Sequence, residues 1–154
     1  MSGPALPAAL PAITLWQPWA TWVALGWKTI ETRTHPHLWR LAGFRVALHA
    51  GKRMHLEAFE IAKAYLGEER MREANRILQD KAYPLGAVVC TAYADEHRAL
   101  DEMYSAAALC DCSACNLFGL SLCDVRPVEP PVPWRGSQGI WYLPADALPA
   151  EAVR

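Results

Sequence analysis

The 154 residues predict an α+β fold, a mixed β-barrel with a short N-terminal helix and a two-helix insert covering it. Two observations carry that reading: short β-branched, alternating segments return at both ends of the chain, and a long stretch of helical periodicity interrupts them between Met54 and Gln79. A chain of this length forms one domain and buries enough surface to need no disulfide or metal staple. The expected division is a Pro/Ala-rich lead-in over residues 1–12, a folded domain over 13–144 and a C-terminal tail over 145–154.

The elements follow in order. Ile13–Trp16 reads as a strand, and Pro18 suits the first helical position because its missing N–H would be unpaired there anyway. PWATWVAL is then a two-turn helix, stopped by Gly26. Trp27–Thr34 alternates as a strand, HPHLWRLAG has the Pro and Gly of a loop, and FRVALHA is the next strand. From Met54 to Gln79 apolar residues, among them Leu56, Phe59, Ile61, Ala62 and Leu66, recur at helical spacing, and Gly67 marks a break between two helices. GAVVCTAYADEHRAL reads as an apolar strand ending in charge, ALDEMYSAAAL as a short helical stretch, and the C-terminal part as strands. Four prolines from Pro127 to Pro133 confine their strand to an edge or a bend.

Composition excludes several classes. Hydrophobic residues at 53% and charged residues at 20% belong to a folded chain rather than a disordered one. Fifteen basic against sixteen acidic residues leave a net charge of −1, so a nucleic-acid role must rest on a local cleft. No basic leader with an apolar core and no membrane-length apolar run is found, so the expected location is cytoplasmic, with no membrane partner. Five cysteines, an odd count, do not form a secreted disulfide framework. Cys110, Cys112 and Cys115, spaced C-x-C-x-x-C, are soft ligands that suit a structural zinc, with Cys90, Cys123 and His97 as fourth-ligand candidates; a chance cluster of thiols stands beside that reading, and no cofactor is required by the rest of the chain.

The segments LWQPWATWVALGWKTIETR, RVALHAGK, YPLGAVVC and LCDVRPVEPPVPWRGSQGIWYLP resemble the ASCH domain family over about residues 13 to 143. The most specific element is G-x-K-x-x-E-x-R, formed by Gly26, Lys28, Glu31 and Arg33 directly after the QPWA helix. The resemblance implies a PUA-like barrel with a cleft between the first helix and the barrel, and an RNA- or nucleotide-binding role. Ribonuclease activity has been proposed for bacterial members, and one branch resembles an amidohydrolase of acylated cytidines. That branch carries a threonine nucleophile where this chain has Glu31, although Lys28 is retained.

The expected binding residues are therefore Trp16, Gln17, Lys28, Glu31, Arg33, Lys52, Ser137 and Gln138. Lysine offers a point charge and arginine a planar fork, which together suit a phosphate or a polar base edge. In strict alternation Glu31 and Arg33 share a face and Lys28 opposes them, so one pocket needs a bulge or a Lys28 placed in the turn before pairing begins. Gln17 could read a base or merely cap the helix; Glu31 and Arg33 could equally form a plain surface ion pair. Lys28→Ala is expected to weaken RNA binding with little change in melting temperature.

Among the tryptophans, Trp16 and Trp39 are the stacking candidates, whereas Trp19, Trp22 and Trp141 read as packing residues. If the protein is an enzyme, Lys28, Glu31 and Lys52 are the expected catalytic set. The five histidines suggest no pair; His49 could face the cleft, but a lone histidine beside a strand reads as structural. A third class, a protein-interaction module, survives on the near-zero net charge and the separate surface of the helical insert.

Overall fold

The computed structural model describes residue 5, residues 7–113 and residues 116–154. Six strands, β1 (Ala9–Gln17), β2 (Ile30–Arg33), β3 (Arg45–Met54), β4 (Ala87–Ala99), β5 (Phe118–Pro133) and β6 (Trp141–Pro144), form one mixed sheet in the order β2-β5-β4-β3-β1-β6. Among the described residues only β1 and β3 run parallel; every other pairing is antiparallel. The described residues also form the α-helices α1 (Trp19–Ala24), α2 (Ala58–Gln79), α3 (Ser105–Ala108) and α4 (Ala150–Val153). The expected α+β class with a short first helix and a helical insert is the one observed. Among the described residues, backbone pairing leaves β2 and β6 as the two edges of the curled sheet.

Alternation along the central strands sends side chains into two cores. Ile13 and Leu15 of β1, Val46, Leu48 and Ala50 of β3 and Leu120 and Leu122 of β5 enclose Ala20 and Val23 of α1, so the first helix lies inside the curl. On the opposite face Leu10, Ala12, Ala47, Val88, Val128 and Leu143 pack with Ala152 and Val153 of α4. This second core corrects both expected boundaries. The strand starts at Ala9 rather than Ile13, because Leu10 and Ala12 are buried between β3 and β6, and the 145–154 tail is docked rather than trailing.

The insert behaves as its periodicity predicts, with one adjustment. Ala58, Phe59, Ala62 and Leu66 fall on one helical face and pack with Trp22, Tyr83 and Leu109, while Gly67 breaks the helix at φ +80°. Leu56 and Ile61, counted in the stripe from sequence, are exposed: Leu56 precedes the helix, and Ile61 lies two residues past Phe59, about 200° round the axis. The insert is pinned by a hydrogen-bond chain, since Trp22 Nε1 donates to Tyr83 Oη at 3.2 Å and Tyr83 Oη donates to the Ala74 carbonyl at 3.0 Å. Burial pushes the Tyr83 phenol up to about 12.

The prolines of β5 do what proline in a sheet must. Residues 118–121 pair with β2 on one side and β4 on the other, but the Pro127–Pro133 half pairs only with β4, through a register shift. That half runs on into the 134–139 turn, which forms one wall of the cleft. Among the described residues, no helix is long and apolar enough to cross a membrane.

Candidate nucleic-acid interface

A hollow of about 1230 Å³ opens where β1, the end of β2, β3 and the 133–139 segment converge. Its lining carries Arg33, Lys52 and Arg135, three imidazoles and the indoles of Trp16 and Trp134, and among the described lining residues none is Asp or Glu.

Arg33 closes the last pair of β2, and its guanidinium bridges toward the other side of the curl: Nη2 donates to the Thr14 carbonyl on β1 at 3.4 Å. Glu31 Oε1 lies 3.2 Å from Arg33 Nε, which orients the fork toward the hollow. Lys28 precedes β2, so it sits in the turn before pairing begins and reaches the side that Glu31 occupies. Its ammonium is only 3% exposed, donates to the Ala108 carbonyl at 2.8 Å, lies 5.1 Å from the centre of the Trp19 ring and is 4.0 Å from Glu31 Oε2. Burial pushes the Lys28 ammonium down from its ordinary range, with Glu31 pulling the other way.

Of the residues expected at the site, Trp16, Arg33, Lys52, Ser137 and Gln138 line the hollow. Lys28, Glu31 and Gln17 do not line it. Gln17 is fully buried: its amide donates to Thr21 Oγ1 at 2.7 Å and to the Pro84 carbonyl at 2.8 Å, and its oxygen accepts from the Thr21 N–H at 3.0 Å. Every polar atom of that side chain is used in tying β1 and α1 to the segment before β4, which leaves nothing to read a base.

Trp16 is 46% exposed, with the Arg53 guanidinium 4.6 Å from its ring centre. Trp39, the other stacking candidate, is exposed but lies outside the lining; Trp134 takes that place. Trp22 is buried under α2 as a packing residue.

Sequence reasoning missed the histidines. His35 and His37 meet Nδ1 to Nδ1 in the turn after Arg33, both on the cleft wall. They flank Pro36 where the chain bends out of β2 into the turn at His37–Leu41, so strand alternation does not predict their contact and the sequence carried no signal for it. Burial, then His35 and Arg33, push the His37 imidazole below its ordinary value. His49 is buried and bonded at both nitrogens: Nε2 to the Trp134 carbonyl at 2.8 Å and Nδ1 to Thr14 Oγ1 at 3.1 Å.

Cys115 lies outside the described residues. Cys110 and Cys112 adjoin each other under α3, and burial with the neighbouring Cys110 pushes the Cys112 thiol up to about 11. Cys90 is inside the main core, its thiol pushed up to about 12 by burial, and Cys123 is exposed on β5. Among the described residues no group of three His, Cys, Asp or Glu side chains is placed to hold a metal ion.

No protein-family model and no curated protein sequence matches this chain. Solved structures do. The crystal structure of ASCH from Zymomonas mobilis aligns with 89% of this chain and 89% of its own, at 16% identity and a TM-score of 0.57. A serine-to-alanine mutant of that protein aligns over 93% of this chain and 94% of its own at the same identity and score. A tyrosine-to-phenylalanine mutant covers 89% and 91%, at 15% identity and a TM-score of 0.54. Agreement over nine-tenths of both chains at so low an identity is agreement of architecture, and the fold of this chain is the ASCH fold.

Proposed function

We propose that the carboxylate-free hollow binds single-stranded RNA or a nucleotide, with phosphate at Arg33, Lys52 and Arg135 and bases against Trp16 and Trp134. The observation that carries the proposal is the lining itself: three cations and, among the described residues, no carboxylate share one concave surface with two indoles. Aromatic platforms beside a positive groove are the recurring means of holding a single strand, because every base has a π-face and every linkage a charge. The ASCH fold of the solved structures is compatible with this role.

The experiment is a salt titration with a fluorescent oligouridylate, read by anisotropy. If three cations each meet a phosphate, the slope of log K against log salt is roughly −2, and Lys52→Ala lowers its magnitude by about 0.7. A slope near zero would exclude phosphate-driven binding and leave an apolar protein contact as the better account.

The His35–His37 contact favours a second reading, hydrolysis in the same hollow. A general base must come within hydrogen-bond reach of its proton, and of Lys28, Glu31 and Lys52 only Lys52 lines the hollow. An imidazole pair beside Arg33 and Lys52 suits a phosphodiester, whose developing charge those cations would stabilise, better than an acylated base. Mass spectrometry of the same oligonucleotide after incubation decides it: retention without shortened products leaves the binding module.

A further inference from the structure

His49 connects the floor of the hollow to its wall through a single hydroxyl group. Thr14 and His49 are register partners on β1 and β3. Thr14 Oγ1 accepts from Trp141 Nε1 at 3.2 Å, and it has two acceptors within reach of its one hydrogen: His49 Nδ1 at 3.1 Å and the Ser137 carbonyl at 3.2 Å. A hydroxyl donates once, so it cannot serve both. The other imidazole nitrogen, Nε2, faces the Trp134 carbonyl and must therefore carry its hydrogen, which leaves Nδ1 of the neutral ring as an acceptor. The wall itself is seated on the ring: a Cβ at Gly136 would stand 2.5 Å from His49 Cε1 and Nδ1 and 2.7 Å from Thr14 Oγ1.

We propose that His49 is a positioning residue for the cleft: when it gains a proton, the Thr14 hydroxyl turns from the imidazole to the Ser137 carbonyl and fixes the 134–138 wall for a phosphate-bearing ligand. The step balances. One proton from solvent adds to Nδ1, the new N–H donates to Thr14 Oγ1, and the Thr14 hydrogen, released from its divided role, goes to Ser137 alone. Thr14 oxygen then accepts twice and donates once, which is its full capacity.

The surroundings leave this chemistry to His49. From β1 and β6 it meets Thr14 and the edge of Trp141, ring centres 5.5 Å apart, and from β4 its partner is Val88. The charged groups of the hollow are Lys52 on its own strand, Arg33 at the end of β2, Arg135 in the wall and the His35–His37 pair. Burial holds His49 below its ordinary value, with the Trp134 hydrogen bond acting against it.

The inference rests on the cleft being the binding site, but its test does not. A hydrogen bond accepted by the Ser137 carbonyl polarises the peptide unit and moves the amide nitrogen of Gln138. In a ¹⁵N-labelled full-length protein titrated from pH 7.5 to about 4.5, the Gln138 amide should follow the same curve as the His49 ring proton. Thr14→Ser should keep that coupling, and Thr14→Val should abolish it while the ring still titrates. His49→Gln, which retains a donor toward Trp134 but cannot gain a proton, should give a flat Gln138 signal, and it serves if Thr14→Val does not fold. A Gln138 amide that ignores the His49 curve, or follows it unchanged in Thr14→Val, overturns the proposal. In oligouridylate binding, Thr14→Val should lose about 2- to 12-fold relative to wild type on the acid side only, the factor one net hydrogen bond supplies. Coupled NMR curves with no oligonucleotide bound at any pH would refute the RNA reading and leave the positioning role standing.

Discussion

Lys28 and Arg33 belong to one sequence motif and carry the same charge, yet they live in different parts of the molecule. Arg33 reaches into an open hollow shared with Lys52 and Arg135. Lys28 is shut beneath Trp19 and α3, where its ammonium is spent on the Ala108 carbonyl and on Glu31. Glu31 joins them, meeting Lys28 through one oxygen and Arg33 through the other. The motif thus runs from the interior to the surface, and of Lys28, Glu31 and Arg33 only Arg33 lines the hollow. Spacing along a chain groups charges; burial decides which of them reach a shared surface.

The sharpest way to break that comparison is to remove the buried charge. Lys28→Ala leaves Glu31 with Arg33 alone and the Ala108 carbonyl without its donor, and an unsatisfied buried acceptor costs about 1–3 kcal/mol. Tm then falls by roughly 2–12 °C. This reverses the expectation drawn from sequence, in which the variant keeps its Tm and loses RNA. Thermal unfolding beside oligonucleotide anisotropy at 15 °C checks it. An unchanged Tm with weakened binding would return Lys28 to the ligand.

The opposite variant acts at the surface. Trp16 is 46% exposed, so Trp16→Ala also gives up buried area, but the exposed part is what a stacked base covers, at about 1–3 kcal/mol. Affinity for the oligouridylate, measured below the unfolding transition of the variant, should fall about 5- to 150-fold. The same substitution at Trp39, exposed but outside the hollow, should leave affinity unchanged. Equal losses at both positions would mean that the strand follows a path outside the hollow.

How much of this was legible differs between fold and site for a physical reason. The strands, the α1 stop at Gly26 and the break at Gly67 are local: they follow from periodicity and from backbone freedom at glycine, and both glycines take positive φ. The hollow is not local. Arg135 and Trp134 enter it only because the proline half of β5 keeps β4 as its single neighbour and delivers the next turn against β3. Ala9–Ala12 were unreadable for the same reason, since a Pro/Ala segment becomes a strand only once β3 and β6 supply its pairs. Gln17 shows the limit from the other side: one amide beside a helix start fits a reader or a cap equally well until Pro84, distant in sequence, uses up its donor.

The smallest effect separates His49 from an ordinary buried histidine. Because burial lowers its folded-state value, the native protein binds fewer protons than the unfolded chain below the unfolded value of about 6.5. Its contribution to stability is therefore complete above that pH and is lost as pH falls toward the folded value. Urea midpoints measured at pH 7.5 and at about pH 5 should show wild type losing more stability than His49→Gln, and the difference between the two proteins cancels the carboxylates they share. A passive core imidazole would give that loss and nothing else. The relay through Thr14 demands two responses of opposite sign over one titration, the fold weakening while the Ser137 wall tightens. If both fail to appear together, His49 belongs with Lys28 as scaffold, and the proposed phosphate-binding surface of the hollow ends at Arg33, Lys52 and Arg135.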